Sequence, residues 1–149
     1  MFVILPFETD FYKKFNYDVD YVGHPLPDVI ARKRKSFSDR AQFLKKYGLV
    51  DKPIVALLPG SRKQEVAAKL PIMLETSKAF PLYQFVIAKA SSLDDEFYDK
   101  FSRNYANVSS IKNDTYSLLS KASAALVTSG TATLETALFD IPEIVCYKG

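Results

Sequence analysis

Leu57-Leu58-Pro59-Gly60-Ser61-Arg62-Lys63-Gln64-Glu65 and Val127-Thr128-Ser129-Gly130-Thr131-Ala132-Thr133-Leu134-Glu135 decide the fold. Each stretch opens on an apolar, strand-like run, passes through a turn of small residues and continues in a helical pattern. A strand feeding a glycine turn and a helix start leaves backbone N–H groups and the positive end of the helix dipole facing one point, which suits an anion. One turn carries an arginine and the other a glutamate one turn into its helix. Together they suggest a phosphate beside a hydroxylated group, the outline of a nucleotide-sugar.

Working outward, further short apolar runs fall at Ile54–Leu58, Gln84–Ala88, Asn107–Ile111, Ala124–Val127 and Ile144–Tyr147. They lack polar alternation, as expected of parallel strands covered on both faces. Helical patterns separate them. Ser38 is read as the N-cap of a helix over 39–47 that stops at Gly48. Pro71 is expected to end the helix that follows Gln64 and to start another over 72–80. Helices over 94–102, 115–121 (capped by Asp114) and 131–139 complete the series. The alternation predicts a doubly wound, Rossmann-like parallel α/β sheet with right-handed crossovers. Ligands of such sheets bind beyond the carboxyl ends of the strands, where both glycine turns fall.

The chain has 149 residues, 48% of them hydrophobic, which suits one compact core. Its net charge of +3 is too small to argue for nucleic acid. The basic run Arg32-Lys33-Arg34-Lys35 reads either as a solvated face or as a contact with an anionic lipid surface. Cys146 is the single cysteine and forms no internal disulfide. One His and one Cys cannot furnish a zinc site. No apolar stretch approaches the ~18 residues of a membrane span and no leader pattern opens the chain, so the expectation is cytoplasmic. Met1–Leu5 reads as a strand in progress and Gly149 follows an apolar run, as in a piece of a longer protein. Tyr21–Leu26, with Gly23 and Pro25, reads as a connection between domains. Residues 1–26 are accordingly assigned to the end of a preceding domain, and 27–149 to the ligand-binding domain.

Ser61-x-x-Gln64 fits a capping box, which would limit Ser61 to closing its helix. Arg62 opposes the helix dipole unless an anion lies close by, and a phosphate would supply one. Gly130 permits close approach of a ligand to the Ser129–Thr131 backbone. Ser129 lacks the first glycine of a hydrolase elbow and is not read as a nucleophile. Glu135 stands between two readings: a carboxylate stabilising its own helix, or an acceptor for two ribose hydroxyls. His24, the only histidine, is read as a hinge residue before a catalytic base. Asp94-Asp95-Glu96 marks an acidic first turn that calls for no metal.

Ile4-Leu5-Pro6-Phe7-Glu8 with Phe11-Tyr12, Tyr21–Leu26, Leu57–Glu65, and Thr128–Glu135 with Pro142 and Tyr147-Lys148 closely resemble the lipid-A-disaccharide synthase family nearly end to end. The resemblance implies a glycosyltransferase of GT-B architecture, and this chain resembles its C-terminal, nucleotide-binding half. It implies transfer of 2,3-diacylglucosamine from its UDP donor to lipid X with inversion and release of UDP. Gly60, Ser61 and Arg62 would form the phosphate-side loop, Ser129, Gly130 and Thr131 would hold the pyrophosphate, and Glu135 the ribose. The uracil would lie near Ile111, Asn113 and Asp114, a stretch without a distinctive motif. No cofactor or metal is expected, and the implied setting is the cytoplasmic face of the inner membrane. The general base and the acceptor contacts are expected outside this chain, which alone should bind but not catalyse. The alternatives are another UDP-N-acetylglucosamine enzyme of the same half-fold, such as the lipid II glycosyltransferase or a 2-epimerase, and a non-catalytic nucleotide-binding module.

Overall fold

The structure, a computed structural model, describes residues 1–147. The chain divides into two compact units, Met1–Ser36 and Phe37–Gly149. Lys148, part of the motif quoted above, lies outside the described residues.

In the first unit, strand β1 (Phe2–Val3) pairs in parallel with β2 (Asp20–Tyr21) in the register Phe2↔Asp20 and Val3↔Tyr21. The strand expected over Met1–Leu5 is therefore two residues long. Helix α1 (Pro6–Lys13) starts at once, with Pro6 at a first-turn position where its missing N–H costs nothing. The Glu8 carboxylate accepts the N–H groups of Ile4 at 3.1 Å and Leu5 at 2.7 Å. Helix α2 spans Leu26–Arg34. Before it, His24 Nδ1 accepts the Leu26 N–H at 3.1 Å, a local turn bond.

The second unit runs α3 (Arg40–Tyr47), β3 (Ile54–Leu58), α4 (Lys63–Ala79), β4 (Gln84–Lys89), α5 (Asp95–Ser102), β5 (Val108–Lys112), α6 (Thr115–Leu119), β6 (Ala124–Thr128), α7 (Thr131–Ala137) and β7 (Glu143–Cys146). The five strands form one parallel sheet in the order β5-β4-β3-β6-β7. From β3 the chain winds out through β4 to β5, then returns to the other side of β3 for β6 and β7. This is the doubly wound order, and its direction reverses between β3 and β6.

Every residue of β3 and β4 is buried, which accounts for the apolar run of β3 and of β4 between Gln84 and Lys89. Val55, Leu57, Phe85, Ile87 and Leu126 pack on one face with Val66, Leu70, Met73 and Leu74 of α4 and Tyr98 of α5. By strand alternation, Ile54, Ala56, Val86 and Val127 turn to the opposite face. They too are fully buried, as are Leu118 and Leu119 of α6.

Helices α6 and α7 end at Leu119 and Ala137, short of the expected 121 and 139, and α3 and α4 depart from the sequence expectation for identifiable reasons. The N-cap of α3 is Asp39, not Ser38: its Oδ1 accepts the Gln42 N–H at 2.8 Å, and Gly48 ends the helix in the left-handed conformation. Helix α4 does not break at Pro71 but runs through it. Pro71 denies the Ala67 carbonyl its donor, at a cost of about 3 kcal/mol. Val66, Leu70, Met73 and Leu74 flank that point, all at most 1% exposed. Burial of each contributes about 1.5–3 kcal/mol, so packing outweighs the helix defect.

Candidate functional site

The turns after β3 and β6 meet at the point where strand order reverses. Between them lies an open cleft of about 480 Å³, of a size for a small ligand. Gly60, Ser61, Arg62, Ser129, Gly130, Thr131 and Glu135 all line it, although the two groups are separated by more than sixty positions in sequence.

The first turn is built around Glu65. Helix α4 is capped at Arg62, one residue later than the Ser61-x-x-Gln64 box suggested, with Glu65 at the third helical position. Its Oε2 accepts the N–H groups of Ser61 at 3.2 Å and Arg62 at 3.3 Å, and its Oε1 accepts from Arg62 Nη1 at 3.2 Å. The carboxylate that makes Arg62 favourable at this helix end is thus already in the chain. The Arg62 N–H bond leads in holding the Glu65 carboxyl below its ordinary value, against the opposing effect of burial. Gly60 has φ +111°, and a Cβ there would stand 2.6 Å from Glu65 Oε2 and 2.9 Å from Glu65 Cβ. Only glycine permits this close approach. The Arg62 side chain remains 84% exposed, so its guanidinium can be recruited by a ligand.

The second turn differs. Gly130 has φ +151°, and its carbonyl accepts the Thr133 N–H at 3.1 Å and the Thr133 hydroxyl at 2.7 Å. The Thr131 and Ala132 N–H groups are the first two of α7, where no intrahelical acceptor exists, and they have no protein partner among the described residues. They are open donors at the cleft. Thr128, at the end of β6, carries a buried hydroxyl with no hydrogen-bond partner among the described residues.

Glu135 is half-buried on α7. Its Oε1 accepts the Tyr116 hydroxyl at 2.6 Å, and its other oxygen has no protein partner among the described residues. Burial, then the bond to Glu135, pushes the Tyr116 phenol up to about 12.

Lys89 closes the cleft floor at the end of β4, its side chain only 8% exposed and held by Asp99 at 3.1 Å and Asp95 at 3.5 Å. Asp95 also lies 3.7 Å from Lys112, so this acidic first turn answers two lysines. A charged residue ending an otherwise apolar strand is the signal that could have pointed to Lys89. Tyr116 offered none, because its partner is 19 positions away.

Ile111, Asn113 and Asp114 do not line the cleft; of that stretch only the neighbouring Thr115 does. Ile111 is buried in β5, and Asn113 turns with φ +61°. Asp114 accepts from Lys46 Nζ at 2.8 Å and from the Tyr47 hydroxyl. Burial would raise its carboxyl, but the bonds from Lys46, Ser117 and Tyr47 prevail and hold it low.

The parallel sheet, its reversal of strand order and the cleft beyond the strand ends define a Rossmann-like domain with a candidate small-molecule site at its switch point. The family described as lipid-A-disaccharide synthetase matches residues 1–149, and the chain belongs to that family. It is 44% identical to the lipid-A-disaccharide synthase of Syntrophus aciditrophicus (strain SB) over 99% of this chain and 39% of that protein. It is 38% identical to lipid-A-disaccharide synthase 1 of Legionella pneumophila (strain Paris) and 39% to the synthase of Coxiella burnetii (strain CbuK_Q154), with the same two coverages. The chain therefore spans about two fifths of the length of these relatives, 39% in each case.

Proposed function

We propose that this chain is the UDP-binding part of a lipid-A-disaccharide synthase, a glycosyltransferase that moves 2,3-diacylglucosamine from its UDP donor to lipid X. Within a family named for this reaction, one observation carries the reading: both glycine turns and Glu135 converge on a single cleft. The diphosphate lies against the Thr131 and Ala132 N–H groups, with the Arg62 guanidinium reaching from the opposite wall. The ribose hydroxyls donate to Glu135, whose second oxygen is open to them. The base extends towards the β5–α6 turn beside Thr115.

In this reading the acceptor hydroxyl attacks the anomeric carbon, the glycosidic bond to the diphosphate breaks, and UDP leaves with the bonding pair. Arg62 and the α7 amides meet the developing negative charge, with donors fixed before the reaction begins. The reading draws on no metal or cofactor. The groups that activate the acceptor belong to the remaining length of the longer relatives, so this chain binds UDP and turns nothing over. The lipid substrates place the whole enzyme at the cytoplasmic face of the inner membrane. Among the described residues no helix is long and apolar enough to cross a membrane.

The test pairs two assays: calorimetric titration of this chain with UDP, and glycosyl transfer from the UDP donor to lipid X by a protein of the relatives' full length. Binding by the chain with transfer only by the longer protein is expected. Transfer by this chain alone would place the acceptor machinery here and overturn the division of labour.

A further inference from the structure

We propose that Tyr116 is a positioning residue for Glu135, holding that carboxylate in the one orientation that receives the ribose of a nucleoside diphosphate. The proposal rests on the ribose reading of Glu135 given above.

Tyr116 sits in a five-residue helix that cannot drift, because Leu118 and Leu119 on its inner side are fully buried. The Tyr116 ring lies against that of Phe139, centroids 5.7 Å apart and planes at 50°, and Phe139 in turn lies 6.2 Å from Phe37. Asp114, which begins the helix, is tied to Lys46 and Tyr47 of α3. The hydroxyl is therefore presented from a fixed ring on a fixed helix, and it donates to Glu135 Oε1 at 2.6 Å. Glu135 comes from a different helix, α7, and lines the cleft. A glutamate on a helix surface samples several rotamers, and a single charge-assisted bond from a rigid donor selects one of them. That bond engages Oε1 and leaves the second oxygen, at the cleft, without a protein partner among the described residues. The phenol keeps its proton throughout the neutral range, so the donor is present at every pH at which the site works.

The test is a set of calorimetric titrations of the chain with UDP and 2′-deoxy-UDP, for the parent, Tyr116→Phe, Glu135→Gln and the double variant. Phenylalanine keeps the ring stack and removes only the donor. Tyr116→Phe is expected to weaken UDP by roughly three- to tenfold, the scale of one lost hydrogen bond, with little effect on 2′-deoxy-UDP. The affinity ratio between the two ligands then falls towards that of Glu135→Gln, and the double variant adds nothing further. A Tyr116 that only supports the fold would lower the melting temperature and leave the ratio unmoved, which overturns the proposal alone. A ratio unmoved by Glu135→Gln, or no UDP binding by the parent, overturns the ribose reading and this proposal with it.

Discussion

Arg62→Ala separates a ligand-binding arginine from one that merely closes its own loop. Among the described residues the guanidinium makes one 3.2 Å contact, to Glu65, and its side chain is 84% exposed. An exposed pair of this kind is worth about 0.2–1 kcal/mol, so the variant should fold with at most a small loss of stability. The loop does not depend on the side chain, because the Ser61 and Arg62 backbone bonds to Glu65 survive truncation. Against a diphosphate the same guanidinium would make charge-assisted bonds worth about 1.5–3 kcal/mol. UDP affinity should therefore fall about 10- to 150-fold, at 1.36 kcal/mol per tenfold. Calorimetric titration reads the affinity and thermal unfolding reads the stability. Equal UDP affinity in variant and parent refutes a phosphate role and leaves Arg62 as the partner of Glu65.

Gly60→Ala adds a Cβ 2.6 Å from Glu65 Oε2 in a left-handed backbone conformation. Thermal unfolding should show a loss of about 1–3 kcal/mol, with weaker UDP binding as the loop shifts. The Glu65 carboxyl titrates below its ordinary 4.5, so the closed loop is complete at neutral pH and is lost as pH falls through that lowered value. The Ser61 and Arg62 amide resonances should follow one acid transition with a midpoint under 4.5, and a midpoint above it would contradict the closure. Pro71→Ala should stabilise the chain by about 1–3 kcal/mol, because it restores a donor to the Ala67 carbonyl in a helix already formed. Unchanged or lower chemical stability there would show that α4 has adapted to the proline.

The strands of the main sheet were legible from their apolar and β-branched residues: β3 and β4 are buried throughout, whereas β5 and β7 at the sheet edges are only partly covered and carry Ser109, Ser110 and Glu143 among their apolar positions. Gly60 and Gly130 marked the two turns, since backbone at these positive φ values selects glycine almost uniquely. Continuity of α4 through Pro71 was not legible. A local rule predicts a break, and only the packing of Leu70, Met73 and Leu74 against strands distant in sequence overrules it. The cap of α4 was misplaced by one residue for a related reason. Ser61 is the better capping side chain, yet the strained turn at Gly60 hands the cap to Arg62 and its closing carboxylate to Glu65. At the cleft, residues within the two motifs could be found from sequence. Tyr116 and Lys89 join only through the fold, one by a bond from another helix and the other by sitting at the end of a neighbouring strand.

The central claim is that one UDP spans both turns and reaches Glu135. It is tested most directly by amide chemical-shift mapping of the chain during a UDP titration. Saturable shifts concentrated at Gly60–Arg62, Ser129–Ala132 and Glu135 are the predicted result. Saturation of the chain with UDP while those amides stay unmoved would contradict it.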